Sequence, residues 1–279
     1  MRIAFLFLSL VTATTAQADD DFFMTLGTPK PARLAGLLDY ILPIFKSASN
    51  VRVQVIPLDA GQEIESGKRG KANALLLDDP AAIDKVMTEK FGVLRNEAFA
   101  DDAVIVGPKS DPAGIRGKKD AGKAFAQIAA KGAPFVSRGD GGDINQLELR
   151  LWKSAGTQPD ESAKWYREAK QGMPATLSLA ATTDGYALTD RATWASFNDP
   201  KTLEILSEGD PALFNVFVSV MVDPEKEPRD KYIFTRIWSD WISDKHGLAA
   251  ITAYKINGEQ IFLPCQQSAR ELCQNASKK

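Results

Sequence analysis

The chain has 279 residues, 44% of them hydrophobic and 25% charged, which is ordinary globular composition with enough apolar material for one large domain or two linked lobes, and it argues against disorder. The formal net charge of -2 leaves no basic excess to neutralise phosphates, so a nucleic-acid partner is not expected. The first 18 residues, MRIAFLFLSLVTATTAQA, combine Arg2, an apolar stretch from Ile3 to Val11 and the small-residue pattern Ala16-Gln17-Ala18. They read as a signal peptide, too short for a permanent membrane anchor, that exports a soluble mature protein after cleavage near Ala18.

Leu34 to Ser49 places Leu34, Leu37, Leu38, Ile41, Leu42 and Phe45 on one helical stripe, with Pro43 as a bend. VRVQVIPL (51–58) and ANALLL (72–77) read as strands, and the second runs into Asp79-Pro80, a cap and first-turn pair that opens the helix AAIDKVMTEK. Strand and helix alternate again through AVIVGP, AGKAFAQIAAKG, PFVSR and INQLELRLWKSAG, a pattern that predicts an α/β sheet with some parallel strands. DDAVIVGPKSDP (101–112) and NVFVSVMVDPEKEP (215–228) are both apolar strands ended by proline and charge. Taken as crossovers, they divide the chain into one lobe of residues 22–103 plus 218–279 and another of 104–217; by pattern alone they fit two core strands of one domain equally well.

Further on, Tyr232, Ile233, Ile237, Trp238, Trp241 and Ile242 recur at helical spacing, with Gly247 as the stop. The tryptophans share the apolar stripe, which favours a core role over a sugar-stacking platform. The two cysteines, Cys265 and Cys273, sit together near the end of the chain, and in an oxidising compartment the simplest reading is one disulfide. A zinc site is disfavoured, since the sole histidine is His246.

No nucleophile–base pair, carboxylate pair or metal motif assembles in the sequence, so an enzyme is not expected. GKKDAGKA (117–124) approaches a phosphate loop, but Ala124 lacks the hydroxyl that would hold magnesium, and no apolar strand precedes it. Strand-to-helix junctions are better candidates, because helix N-termini there present free N–H groups. Four stand out: TLGTPKPARLAG (25–36), PLDAGQEIESG (57–67), PFVSRGDGGDINQLEL (134–149) and KQGMPATLSLAA (170–181). In the third, Asp143 fits as an N-cap with Gln146 three positions on, and the glycines supply the turn. Arg138 is left over. An arginine at the exit of a buried strand needs a fixed anion, which is Asp140, Asp143, Asp59 or a ligand.

Several blocks keep a common order along the chain: GLLDYILPIF (36–45), VRVQVI with Gly61-Gln62, ANALLLDDP, AVIVGPKSDPAGI (103–115), APFVSRGD (133–140), LWKSAG (151–156), QGMPATLSLA (171–180) and YALTDRATW (186–194). Together they resemble the periplasmic tungstate-binding proteins that serve ABC importers, over most of residues 36 to 224. The resemblance implies a two-lobed type II periplasmic-binding-protein fold, with mixed sheets flanked by helices and two crossover strands. It implies closure on a tetrahedral oxyanion held by hydroxyls, backbone N–H groups and an arginine, a membrane permease as partner, and no cofactor. Carried over to this chain, the ligand set is Arg138, Ser137, Gly139, Thr28, Thr25, Asp59, Asp140 and Thr176.

The loops depart from the family pattern. Leu34-Ala35 stands where Asp-Ser is usual, Asp59-Ala60-Gly61 replaces Gly-Thr-Gly, Gly141-Gly142-Asp143-Ile144 replaces Asp-Ser-Gly-Thr, and Pro174 follows Gly172-Met173 where glycine would offer an N–H. At roughly 1.5 to 3 kcal/mol per hydrogen bond to a charged group, the loss of three or four donors lowers affinity for a dianion by several powers of ten. The expectation is therefore a solute-binding protein with altered specificity, for a tungstate- or molybdate-like or an organic anion. The alternative is a transport-inactive accessory or sensor of the same fold, in one version holding a hard cation such as calcium on Asp59, Asp140 and Asp143, against the opposing charge of Arg138.

Overall fold

A computed structural model describes residues 22–28, 34–58, 61–159, 162–198, 202–223, 229–265, 271 and 273. The expected signal peptide and Asp59 lie outside the described residues.

The chain opens with β1 (Phe23–Thr28), α1 (Leu37–Ser49), β2 (Arg52–Pro57), α2 (Glu63–Lys68), β3 (Ala74–Leu77), α3 (Pro80–Thr88) and the 17-residue strand β4 (Gly92–Pro108). Next come α4 (Ala121–Lys131), β5 (Phe135–Ser137), α5 (Asp143–Ser154), β6 (Tyr166–Glu168), α6 (Met173–Thr182), β7 (Ala187–Asp190), α7 (Arg191–Ser196) and β8 (Leu203–Ser207). A 3₁₀ turn at Pro211–Leu213 leads into β9 (Phe214–Val222), α8 (Arg229–Trp241), α9 (Lys245–Ala253), β10 (Lys255–Ile256), β11 (Glu259–Gln260) and β12 (Leu263–Pro264). Alternation of strand and helix through the first two thirds is the α/β pattern expected from the sequence.

The main sheet has the order β12-β4-β9-β3-β1-β2, with β1 parallel to both β2 and β3, and β9 antiparallel to β3 and β4. Strand β4 changes partners halfway. From Gly92 to Asp102 it pairs with β9, and from Ala103 to Pro108 with β7 and β8. β5 and β6 form a separate parallel pair, joined to the start of β7 by a bridge between Phe135 and Tyr186. Because β1, β2 and β3 are parallel, Thr28, Pro57 and Leu77 end at one edge of the sheet, where in such sheets ligands bind.

Apolar side chains gather on either side of the change of partners in β4. Phe45, Phe99, Phe217, Trp238 and Phe262 centre the core under the first half of β4, whereas Phe125, Phe135, Trp152, Tyr166 and Tyr186 centre the core around α4 and α5. In α1 the buried residues are Leu37, Leu38, Ile41 and Phe45, and Pro43 sits inside the helix. Asp79 caps α3 by accepting from the N–H of Ala81, with Pro80 at the first helical position. The expected disulfide joins Cys265 to Cys273, and both cysteines are buried beside the β9 valines.

Three local expectations are corrected. Asp143 is the first residue of α5 and not its cap; Gly142 occupies the cap position without a side-chain hydrogen bond, since the preceding turn is already closed by Asp140 and Asn145. Gly247 does not end a helix but lies inside α9, where a Cβ would fall 2.1 Å from the carbonyl oxygen of Trp241. Trp238 and Trp241 are core residues as the stripe implied, yet Ile233 and Ile237 face solvent, because the face of α8 that packs against α1, α9, β1 and β9 leaves them on its outer side.

Candidate functional site

The stretch after β5 folds into a tight loop around Arg138. Its Nε donates to Asp140 Oδ2 at 2.5 Å, and the N–H of Gly142 donates to Asp140 Oδ1 at 3.0 Å. Among the described residues neither terminal nitrogen of the guanidinium has a protein partner, and the side chain remains 28% exposed. Partial desolvation raises the Asp140 carboxyl, but the hydrogen bonds from Gly142 and Arg138 outweigh it and hold the group below the ordinary carboxylate range. A Cβ on Gly142 would approach the Arg138 Cζ and Nη2 to 3.4 Å, so the planar group lies against bare backbone. Gly139 has φ +62°, and a Cβ there would lie 2.7 Å from Glu168, so glycine is required on both counts.

Beneath the loop lies a residue that the sequence reading missed. Glu148 of α5 is 1% exposed, and its carboxylate accepts from Ser137 Oγ at 2.7 Å, Trp152 Nε1 at 3.0 Å and Tyr166 Oη at 2.9 Å. Ser137 Oγ in turn accepts from the N–H of Gly139 at 3.1 Å and from Asn145 Nδ2 at 3.2 Å, while Asn145 Oδ1 accepts from the N–H of Gly141. The Ser137 hydroxyl, one donor with two lone pairs, is therefore saturated inside the protein, which corrects its expected role as a ligand donor. Burial lifts the Glu148 carboxyl above its ordinary range, more than the hydrogen bonds from Ser137, Trp152, Tyr166 and Asn145 lower it. The available signal was its place on the apolar stripe, four residues after Ile144 and three and four before Leu151 and Trp152.

The second helix entrance of this half converges on the same loop. The N–H groups of Ala169 and Lys170 donate to the carbonyls of Ser137 and Arg138 at 2.9 and 3.0 Å, which lays the segment entering α6 beside the arginine. Gly172 caps α6 at φ +80°, so α5 and α6 both begin within a few residues of the segments hydrogen-bonded at this loop. Thr176 does not join it. Fully buried, its hydroxyl donates to the Gly172 carbonyl at 2.9 Å, the usual resort of a threonine inside a helix.

Across the sheet, Thr28 ends β1 and is buried, with its carbonyl accepting from the N–H of Leu58 at the end of β2. Thr25 stands three residues back from that edge; its hydroxyl donates to Asn73 Oδ1 at 2.9 Å and accepts from the Asn73 N–H at 3.0 Å, a brace between β1 and β3. Its expected ligand role is corrected accordingly. A cavity of about 670 Å³ opens between the end of β3 and the flank of α5, floored where β4 changes partners and by the Pro211–Leu213 turn. Its lining includes Asp143 but neither Arg138 nor Thr28, and it carries Asp78, Asp79 and Asp84 against Arg95 and Arg150. Carboxylates outnumber cations along that lining, which disfavours an anion there.

Residues 12–245 match the family model described as a PBP superfamily domain. The chain belongs to the PBP superfamily. It is similar to a Haloferax volcanii protein named as an ABC transporter anion-binding protein, at 37% identity over 246 residues, covering 86% of this chain and 71% of that relative. Among solved structures it resembles the tungstate-binding protein TupA from Desulfovibrio alaskensis G20, with a TM-score of 0.76 and 31% identity over 87% of this chain and 98% of that one. It also resembles the tungstate ABC transporter structure from Geobacter sulfurreducens, with a TM-score of 0.62 and 39% identity over 83% of this chain and 98% of that one. The protein is thus a solute-binding protein of the type II periplasmic-binding-protein fold, and its named relatives are binding proteins rather than enzymes.

Proposed function

We propose that this protein binds a tetrahedral oxyanion of the tungstate type outside the cytoplasmic membrane and delivers it to the permease of an ABC importer. One observation carries the reading: Arg138 is held by its Nε while, among the described residues, neither terminal nitrogen has a protein partner, beside two helix entrances. A guanidinium fixed in this way offers a planar fork with little entropy left to lose on binding, and anions favour helix N-termini. We take the two lobes to meet where β4 changes partners at Asp102 and Ala103 and at the Pro211–Leu213 turn, so that the arginine faces the edge bearing Thr28. In this reading Asp140 orients Arg138, and Gly139 allows the close turn. Calorimetry of the purified protein with tungstate, molybdate, sulfate and small carboxylates tests it; saturable binding of at least one of the three tetrahedral oxyanions is expected, and binding of carboxylates alone would contradict it.

A second reading is favoured by the loop's own hydrogen bonds. The N–H groups of Gly139, Gly141 and Gly142 are all engaged within the loop, so the cradle has fewer donors to offer than its length implies. If none of the anions produces heat or a thermal shift, the accessory or sensor role stands in place of transport.

A further inference from the structure

Outside the Arg138 loop, one guanidinium joins four parts of the fold. Arg191, the first residue of α7, donates from Nε and Nη2 to the two carboxylate oxygens of Asp102 at 2.6 and 2.7 Å. Its Nη1 reaches Glu259 Oε1 at 2.9 Å, and Nη2 reaches Glu208 Oε2 at 2.6 Å. Asp102 is the last residue of β4 paired with β9, and Asp190, immediately before Arg191, pairs with Ala103. Glu208 directly follows β8 on the way to the Pro211–Leu213 turn. Glu259 belongs to β11, shortly before β12 pairs with Phe99 and Ala100 of β4.

The helix that carries this arginine straddles the two cores. Its strand β7 pairs only with the second half of β4, yet Ala192 and Ala195 pack on the core of the first half, and Asn257 Nδ2 donates to the Ala195 carbonyl at 2.8 Å. The four charged side chains are graded in exposure, from Asp102 at 5% and Arg191 at 16% to Glu259 at 33% and Glu208 at 53%. A buried bidentate pair holds the guanidinium in one orientation, while the two outer arms remain open to water and to exchange.

We propose that Arg191 is a positioning residue that clamps both inter-lobe connections and sets the lobe orientation from which the solute is captured. Closure needs β4 to flex beside Asp102 and the return segment to flex beside Glu208; one side chain holds both points and the C-terminal hairpin at once. The clamp itself is independent of the ligand's identity, whereas its effect on affinity rests on the solute-binding reading.

The test uses spin labels at V93C and L149C, two exposed positions in opposite lobes, with interlabel distances measured in the full chain without and with tungstate. The unaltered clamp is expected to give a narrow distribution without anion. E259Q, which removes a partly exposed arm and leaves the Asp102 pair intact, is expected to broaden it and to change the tungstate dissociation constant roughly two- to fivefold. R191K, which loses the planar fork, is expected to broaden it further; E259Q serves alone if R191K does not fold. Unchanged anion-free distributions in every variant that folds would overturn the clamp, whatever tungstate does. A broadened distribution in a protein that does not bind tungstate would uphold the clamp while removing the oxyanion reading.

Discussion

Replacing Arg138 with alanine removes two charge-assisted donors from the ligand while breaking, among the described residues, one side-chain hydrogen-bonded pair, that with Asp140. Each hydrogen bond to a charged group is worth roughly 1.5 to 3 kcal/mol, and with 28% of the side chain exposed the lower end applies, giving about 3 kcal/mol in all and a loss of roughly 100-fold in oxyanion affinity. The structural contact is an ion pair open to solvent, worth about 0 to 1 kcal/mol, so the melting temperature of the ligand-free protein falls by no more than about 4 °C. Arg138→Lys retains the charge without the fork and falls between wild type and alanine. Titration calorimetry and thermal melts of the ligand-free variants separate these effects. Unchanged affinity, or a stability loss as large as the affinity loss, would show that Arg138 is a structural partner of Asp140 and not a ligand anchor.

Glu148 makes stability depend on pH with a definite sign. Its carboxyl is raised in the folded protein, so its contribution is complete below the unfolded value of 4.5 and is lost as pH rises through the higher folded value. Melts from about pH 4 to about pH 8 should therefore show wild type gaining stability toward the acid end, and Glu148→Gln should remove that gain; a matching slope in both proteins contradicts the assignment. Asp140 acts in the opposite sense: held below 3.8, it contributes stability above that value which is lost as pH falls through the folded value, and Asp140→Asn should weaken the acid-limb loss. Breaking the disulfide with Cys265→Ala and Cys273→Ala should cost about 2.5 kcal/mol in denaturant unfolding, from the entropy of a chain closed over a separation of 8 residues; an unchanged midpoint would show that burial alone holds this segment. Gly247→Ala drives a methyl into the Trp241 carbonyl and should destabilise by about 1 to 3 kcal/mol, whereas a neutral result would mean that α9 shifts freely.

The elements that were legible in the sequence are those whose signals are local. The stripe from Leu37 to Phe45, the strands β2 and β3 and the Asp79-Pro80 start of α3 needed only periodicity and caps, whereas β1 was not read as a strand. Strand β4 was legible only from Ala103 onward; its first half contains Arg95, Asn96 and Glu97, which break the apolar pattern and are held in the sheet by β9 more than a hundred residues later. The junction around Arg138 was visible because an arginine follows a buried strand. Its partner was narrowed to three aspartates or a ligand, and among the aspartates the structure pairs it with Asp140, two residues away. What stayed hidden depends on tertiary approach. Ser137 looked like a donor to ligand until the buried face of α5 brought Glu148 against it, and Thr25 looked available until Asn73 met it from β3. Arg191 has partners 89, 68 and 17 positions away, a separation at which no local pattern marks a pairing.

The most direct measurement is a calorimetric titration of the purified protein with tungstate, repeated with molybdate, sulfate and small carboxylates. The account predicts saturable binding at one site per chain for a tetrahedral oxyanion. No saturable heat with tungstate, molybdate or sulfate would contradict it.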